Sequence, residues 1–243
     1  MRTALTIARR ELGGYFATPV AWVFIVIFLL LQGALTFNLG QFFDRNQADL
    51  APFFEFLPWV FVLLVPAITM RLWAEERRLG TIELLLTLPV GRGAAVVGKF
   101  LAAWAFCAIA LALTFPFVIT VNVLGNPDNG VIAAGYVGGL LLAGAFLAIG
   151  AAISALTKNQ VIAFVLSVAV CFLFAASSFP LVTDFLGRNA PVLVGIAGRL
   201  SVFARFDTFT RGVIEARDVI FFASFIGFWL FVNTLVVELR KAD

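Results

Sequence analysis

The chain has 243 residues, of which 62% are hydrophobic and only 13% carry a charge, and its mean hydropathy is +1.05. Soluble domains carry charge on about a quarter of their residues, so this composition excludes the soluble, disordered and nucleic-acid-binding classes and indicates a protein that lies largely in lipid. The sequence contains no histidine, which removes the commonest general base and the usual zinc and haem ligand from any hypothesis.

Uncharged stretches predict the membrane-spanning helices, because a helix needs about 20 residues to cross a hydrocarbon core of about 30 Å. Six such stretches occur, and we expect an all-α, multi-pass membrane protein with a single transmembrane domain over residues 1–243. The predicted spans lie near residues 20–40, 54–73, 99–123, 131–156, 160–182 and 219–239. Small residues that recur every fourth position in the fourth span predict close helix packing within one subunit.

The lysines and arginines predict the orientation, because the cytoplasmic loops of membrane proteins carry the excess of basic residues. With a cytoplasmic N-terminus, eleven of the 17 basic residues fall on the inner side. We therefore expect both termini in the cytoplasm. The basic surplus at the membrane surface explains the pI of 9.2 without a nucleic-acid partner.

The segment before the first span predicts an interfacial helix. Leu5, Ala8, Leu12 and Phe16 follow one another at helical spacing, so residues 3–16 can form a helix that lies flat on the inner leaflet. The alternative is an ordinary charged flank that only sets the topology.

The cytoplasmic loop between the second and third predicted spans is unusually organised. Four consecutive charges, Glu75, Glu76, Arg77 and Arg78, precede a predicted short helix that carries Leu84 and Leu85 and stops at Pro89. Gly80 permits the turn into that helix and Thr81 can cap it. The alternative is a charged loop that only sets the topology.

One apparent nucleotide motif follows this loop. Residues 93–99 have the spacing of a phosphate-binding loop, but Phe100 replaces the Ser or Thr that would hold magnesium, and no predicted strand precedes the glycines. We therefore expect no nucleotide binding by this chain and interpret Lys99 as an anchor at the inner membrane interface.

An amphipathic helix is predicted on the outer side between the fifth and sixth spans. Its apolar face carries Val202, Phe206, Phe209 and Val213. Its polar face carries Asp207, Arg211, Glu215 and Asp218. The helix could rest on the outer leaflet or serve as a structural cap over the bundle.

The charged loop resembles the signature of the type-2 ABC transporter permease family, in which acidic and basic residues precede a Gly-Thr-x-Glu-Leu-Leu segment and a Pro-Val. Two further blocks, residues 10–19 and 206–218, resemble the branch associated with gliding motility and with copper-site maturation of nitrous-oxide reductase. With the six-span count, the resemblance covers nearly the whole chain.

The resemblance implies a permease subunit that couples ATP hydrolysis by a separate ATPase subunit to export or to force transmission across the membrane. It implies an N-terminal elbow helix, outer-face amphipathic helices, and a coupling helix that docks in a groove of the ATPase. The implied ATPase-coupling residues are Glu75, Glu76, Arg77, Arg78, Gly80, Thr81, Glu83, Leu84, Leu85, Pro89, Lys158 and Asn159. The implied outer-face residues are Phe206, Asp207, Phe209, Arg211, Glu215 and Asp218.

The expected partners are an ABC ATPase, a second permease copy, an accessory subunit with a periplasmic domain, and membrane lipid. We expect no enzymatic activity, no catalytic residues, and no metal or cofactor bound by this chain, with ATP and magnesium on the ATPase instead. The alternatives are an ion-coupled carrier or channel, or a membrane anchor of a larger complex. A carrier usually needs ionisable residues at membrane depth, and the six uncharged stretches lack them.

Overall fold

The computed structural model describes residues 2–80, 91–189, 195 and 198–239, and the regular structure of these residues is entirely helical. The helices are α1 (Arg2–Phe16), α2 (Pro19–Ala34), α3 (Ala51–Thr69), α4 (Ala74–Leu79), α5 (Arg92–Ala112), α6 (Phe115–Leu124), α7 (Asn129–Ser154), α8 (Gln160–Ala176), α9 (Pro180–Asn189), α10 (Val202–Thr210) and α11 (Ala216–Leu239). A π-helical turn, Leu35–Leu39, continues α2. The prediction of an all-α protein is confirmed.

Five helical segments are long and apolar enough to cross a membrane. They are Pro19–Leu39, Ala51–Leu79, Arg92–Leu124, Asn129–Ser154 and Ala216–Leu239. The remaining predicted span, near residues 160–182, coincides with α8, which is apolar but has only 17 residues. Five of the six predicted spans are therefore confirmed as helices of spanning length, and the sixth stays a prediction, as does the orientation.

Helix α7 is the centre of the bundle. It contacts α3, α5, α8, α10 and α11, and nearly every side chain in its second half is buried. Its small residues permit this crowding, because a glycine lets a neighbouring helix approach the backbone itself. A Cβ added to Gly135 would lie 2.5 Å from the Phe54 ring, and one added to Gly139 would lie 2.9 Å from Leu57. These glycines therefore pack against α3 of the same subunit, as the spacing predicted.

The bundle has two ends, and we name each after a short helix that lies there. We call the end that holds α1 and α4 the α4 face; its apolar floor consists of Leu72, Trp73, Ala95, Val96, Ala151, Ala155 and Val237. We call the opposite end the α10 face; there α10 packs over α7, with the Phe209 side chain 2.6 Å from the Cβ position of Gly138. In a bundle of antiparallel helices with short connections, every second loop lies at the same end.

Helix α1 packs along α5 through small residues. Ala4 and Ala8 are buried, and a Cβ on Gly98 would lie 2.8 Å from the Ile7 side chain. The predicted helix is confirmed; of its predicted apolar face, Ala8 is buried against the bundle whereas Leu5 is 68% exposed. Close packing on Gly98 selects the smaller alanines. The position of α1 on a membrane surface stays a prediction.

The predicted amphipathic helix on the α10 face is shorter than the sequence indicated. α10 ends at Thr210, and Gly212 follows with a φ of 82°, a left-handed conformation that favours glycine and ends the helix. Arg211 and Glu215 therefore lie outside α10, and Val213 is exposed. Asp218, predicted on the polar face, is instead buried in the first turn of α11.

Gly150→Ala tests the close contact of α7 with α3. The added Cβ would overlap Thr69 Oγ1, so the two helices must separate, and we expect a loss of about 1–3 kcal/mol in the free energy of unfolding. Gly227→Ala is the matched control, because no atom lies within 4 Å of its Cβ position. Thermal unfolding of the purified protein should show a lower Tm for the first variant and no decrease for the second; equal Tm values would contradict the contact.

Candidate functional site

A buried ammonium group joins three helices at the α4 face. Lys99 of α5 places Nζ 2.7 Å from Glu76 Oε1 of α4 and 3.3 Å from Glu11 Oε2 of α1, and only 4% of its side chain is exposed. The Trp73 ring lies beneath it, with its centroid 5.5 Å from Nζ. A buried ammonium must be neutralised by nearby carboxylates. Lys99 therefore holds α1 and α4 against α5.

Glu11 remains ionised in this cluster. Burial on its own would raise the pKa of Glu11, but Lys99 and a hydrogen bond from Arg10 lower it more, so the pKa lies below its ordinary value of 4.5. Burial also raises the pKa of the neighbouring Tyr15 hydroxyl, which stays protonated. The carboxylate through which α1 pairs with Lys99 is consequently charged at neutral pH.

A serine at the end of α7 fixes the start of α4. Ser154 Oγ accepts hydrogen bonds from the backbone N–H groups of Trp73 and Ala74, both at 3.2 Å, and donates one to the Met70 carbonyl at 3.1 Å. The first N–H groups of a helix have no partner within the helix, so these bonds satisfy part of that need. The junction between α3 and α4 is thereby attached to the end of the central helix.

The charged residues of α4 interact favourably with the helix dipole. Glu75 and Glu76 lie in its first turn and Arg77 and Arg78 in its last turn, which is the favourable arrangement for a helix. Gly80 ends α4 with a φ of 72°, so the chain leaves in a left-handed conformation. The predicted turn at Gly80 is therefore confirmed.

The two arginines of α4 differ in exposure. Arg77 is buried, with 7% of its surface exposed. The Arg78 side chain is 61% exposed, and its Nη2 lies 4.0 Å from Glu75 Oε1. Glu75 also accepts a hydrogen bond from Arg71 Nε at 3.1 Å. Of the two arginines, Arg78 is the one that a partner protein can reach.

The second predicted coupling segment lies beside α4. Asn159 is the N-cap of α8, and its Oδ1 accepts hydrogen bonds from the backbone N–H groups of Val161 and Ile162. Lys158 is exposed, and α8 contacts α4. The remaining predicted coupling residues, Thr81, Glu83, Leu84, Leu85 and Pro89, lie outside the described residues.

The predicted outer-face residues do not form one site. Phe206 and Phe209 lie on the buried side of α10. Asp207 and Arg211 form an exposed ion pair at 2.6 Å. Glu215 lies between α10 and α11, 3.4 Å from Arg217. Asp218 is buried and accepts a hydrogen bond from Arg205 at 2.9 Å. The buried pair therefore attaches α10 to α11.

Sequence reasoning missed the roles of Lys99, Glu11, Ser154 and Arg205. Lys99 lies seven residues beyond Arg92, the first residue of α5, and is therefore about 10 Å into an otherwise apolar helix. A charged residue within an apolar helix needs a partner where packing buries it; this signal was available, although it does not identify Glu11 or Glu76 as the partners. The location of Lys99 at the inner membrane interface stays a prediction, but its side chain is buried and paired within the protein, which the sequence did not predict.

Most of the chain matches a known protein family. Residues 5–190 of the 243 match the family described as ABC-2 family transporter protein. The chain belongs to the ABC-2 transporter family. A separate search found no match among curated proteins. Membrane subunits of the ABC-2 family are typically non-catalytic and work with a separate ATPase subunit.

Lys99→Met tests the ion cluster of this ABC-2 permease. The substitution keeps a chain of similar length but leaves Glu11 and Glu76 without their cation, and breaking a buried ion pair costs about 3–5 kcal/mol. We expect a lower Tm and release of α1, detected as faster proteolysis near residue 10. The triple variant Lys99→Met/Glu11→Gln/Glu76→Gln should regain stability because no buried charge is left unpaired.

Lys158→Met provides the control, since this lysine is exposed. It should leave both Tm and the proteolysis of α1 unchanged. If Lys99→Met behaved like this control, the cluster would not hold α1.

Proposed function

We propose that this ABC-2 permease couples ATP hydrolysis by a separate ABC ATPase to export or to force transmission across the bacterial cytoplasmic membrane. In this proposal the α4 face is cytoplasmic, α1 is the elbow helix, and residues 81–90 form the coupling helix. A second permease copy completes the transmembrane unit, and ATP and magnesium are held by the ATPase alone.

The observation that carries the proposal is the attachment of α4 to four other helices through Lys99 and Ser154. Lys99 links it to α5 and α1, and Ser154 links its start to α7 and to the end of α3. A helix that only set the topology would need none of these contacts. Because α4 directly precedes residues 81–90, a displacement of that segment by an ATPase would reach four helices of the bundle.

The proposed branch of the family and the proposed accessory subunit rest on two segments of the sequence. Residues 10–19 and 206–218 support the branch associated with gliding motility and nitrous-oxide reductase maturation, and that branch supports an accessory subunit with a periplasmic domain. The ion-coupled alternative gains no support from Lys99, because two carboxylates neutralise this buried ammonium in a cluster that fastens helices.

Arg78→Glu tests the coupling role of α4. We expect the permease to fold normally but to lose ATPase binding, since the substitution reverses an exposed positive charge that in this proposal pairs with acidic residues of the ATPase. The experiment is co-purification with the co-expressed ABC ATPase, followed by ATP turnover in liposomes. Arg45→Glu is the control, because Arg45 is also exposed and also paired with a carboxylate, Asp49, but precedes α3 at the α10 face.

The loss for Arg78→Glu should be about tenfold or more in ATPase affinity, a value typical of an interfacial charge pair. The coupling assignment would be wrong if assembly and coupled ATP turnover were both as in the unsubstituted protein. Glu83→Lys extends the test into residues 81–90.

Cysteine labelling tests the orientation. The native cysteines, Cys107 and Cys171, are both free and buried, so a cysteine introduced at an exposed position is labelled selectively. We expect Arg78→Cys to react with a membrane-impermeant maleimide only in permeabilised cells and Arg211→Cys to react in intact cells. The reverse result would place residues 81–90 on the outer side and exclude a cytoplasmic ATPase contact.

A further inference from the structure

Two cavities adjoin at the junction of α1, α2 and α3. One is a chamber of about 490 Å³ at the α4 face, lined largely by charged residues, and the other is an apolar slot of about 220 Å³ between α2 and α3. Tyr15, Thr18 and Arg71 line both cavities. A molecule with a polar head and an apolar tail can therefore occupy both at once.

The slot has the shape and lining of a site for an alkyl chain. Its α2 wall consists of Val20, Val23, Phe24 and Ile27, which form a stripe at helical spacing. The opposite wall of α3 includes Leu64 and Ile68, and Phe106 of α5 also lines the slot. Seven residues of helix rise about 10 Å, so the slot follows the first turns of α2 from Thr18 towards the middle of the bilayer.

The slot opens towards lipid. Val20, Val23 and Ile27 are each exposed in the structure, whereas Leu64 and Ile68 of the other wall are buried. Both helices belong to segments that can span the membrane. An acyl chain of the surrounding bilayer can therefore enter sideways without leaving the hydrocarbon region.

The chamber carries equal numbers of positive and negative charges. Its lining includes three cations and three carboxylates, namely Arg10, Arg71, Lys99, Glu11, Glu75 and Glu76. They alternate as neighbours: Lys99 pairs with Glu76 and Glu11, Arg10 with Glu11, and Arg71 with Glu75. A headgroup with a net negative charge would face as many carboxylates as cations. A headgroup that carries one charge of each sign matches this lining.

Arg71 and Glu75 stand where the two charges of such a headgroup would lie. Arg71 lines both cavities and uses Nε for Glu75, which leaves the two terminal nitrogens of its planar guanidinium for a phosphate. Glu75, four residues along the chain, lines only the chamber and can accept a hydrogen bond from an ammonium group. Thr18 adds a hydroxyl at the junction.

We propose that the junction of α1, α2 and α3 binds a zwitterionic phospholipid with a primary ammonium headgroup, of the phosphatidylethanolamine type. The phosphate contacts Arg71, the ammonium contacts Glu75, and one acyl chain fills the slot between α2 and α3. The bound lipid touches both α1 and the start of α4, and it therefore contributes to the contact between these two helices.

The experiment measures the lipid retained by the purified permease after reconstitution in membranes of equal phosphatidylethanolamine and phosphatidylglycerol content. Native mass spectrometry should show phosphatidylethanolamine as the preferred adduct. Arg71→Ala should reduce this adduct about tenfold, which corresponds to the loss of one charge-assisted hydrogen-bond pair. Arg45→Ala is the matched control, because Arg45 also forms an i,i+4 ion pair with a carboxylate and has a similar exposure.

A second variant tests the slot without changing a charge. Ala67 lines the slot on α3, whereas Leu63, one turn earlier, is exposed and lies outside the lining. Ala67→Phe should displace the acyl chain and lower phosphatidylethanolamine retention, and Leu63→Phe should not. A Tm equal to that of the unsubstituted protein confirms that each variant is folded.

The proposal requires preferential retention of phosphatidylethanolamine and its loss in both Arg71→Ala and Ala67→Phe. Equal or better retention of phosphatidylglycerol overturns it, as does undiminished retention in either variant. A change of oligomeric state in Ala67→Phe, with lipid retention intact, would assign the slot to a second copy of the chain and overturn it equally. None of these measurements involves an ATPase, so their outcome is independent of the proposed function.

Discussion

The buried ammonium of Lys99 is the constraint on which the α4 face depends. An ammonium group removed from water costs several kcal/mol unless carboxylates neutralise it. The chain supplies two, from residues that precede Lys99 by 88 and 23 positions, and they come from α1 and α4. The packing of α5 is therefore linked to that of α1 and α4, because these two helices supply the carboxylates that neutralise the Lys99 ammonium in its buried position.

In the middle of the bundle, a different interaction holds the helices together. In the apolar middle of the bundle, α7 approaches α3 through Gly135, Gly139 and Gly150, where dispersion between closely packed atoms replaces ion pairs. Dispersion falls off steeply with distance, so these contacts fix the separation of the helices closely. Their precision matters for the α4 face, because Ser154 at the end of the same helix must reach the backbone of Trp73 within hydrogen-bond distance.

The sequence predicted what depends on local pattern and missed what depends on distant residues. Five spans were found from uncharged length alone, because hydropathy along about 20 residues determines whether a helix can cross a membrane. The amphipathic pattern after Val202 continued past Gly212, so periodicity overestimated α10, which the left-handed glycine ends. The Lys99 cluster could not be read from spacing, because its members meet only after α1, α4 and α5 have packed. The different burial of Arg77 and Arg78 has the same origin.

The α10 face repeats the principle of the α4 face with other residues. Asp218 is fully buried, Arg205 reaches it at 2.9 Å, and the Arg205 guanidinium lies 5.4 Å from the centre of the Phe221 ring. This pair attaches the short α10 to α11, as Lys99 attaches α1 to α5. Helix α7 touches both ends: Val131 lies against Gly212 and Ser154 against α4. Its 26 residues extend about 39 Å, so a single buried helix joins the two charged ends across the apolar middle.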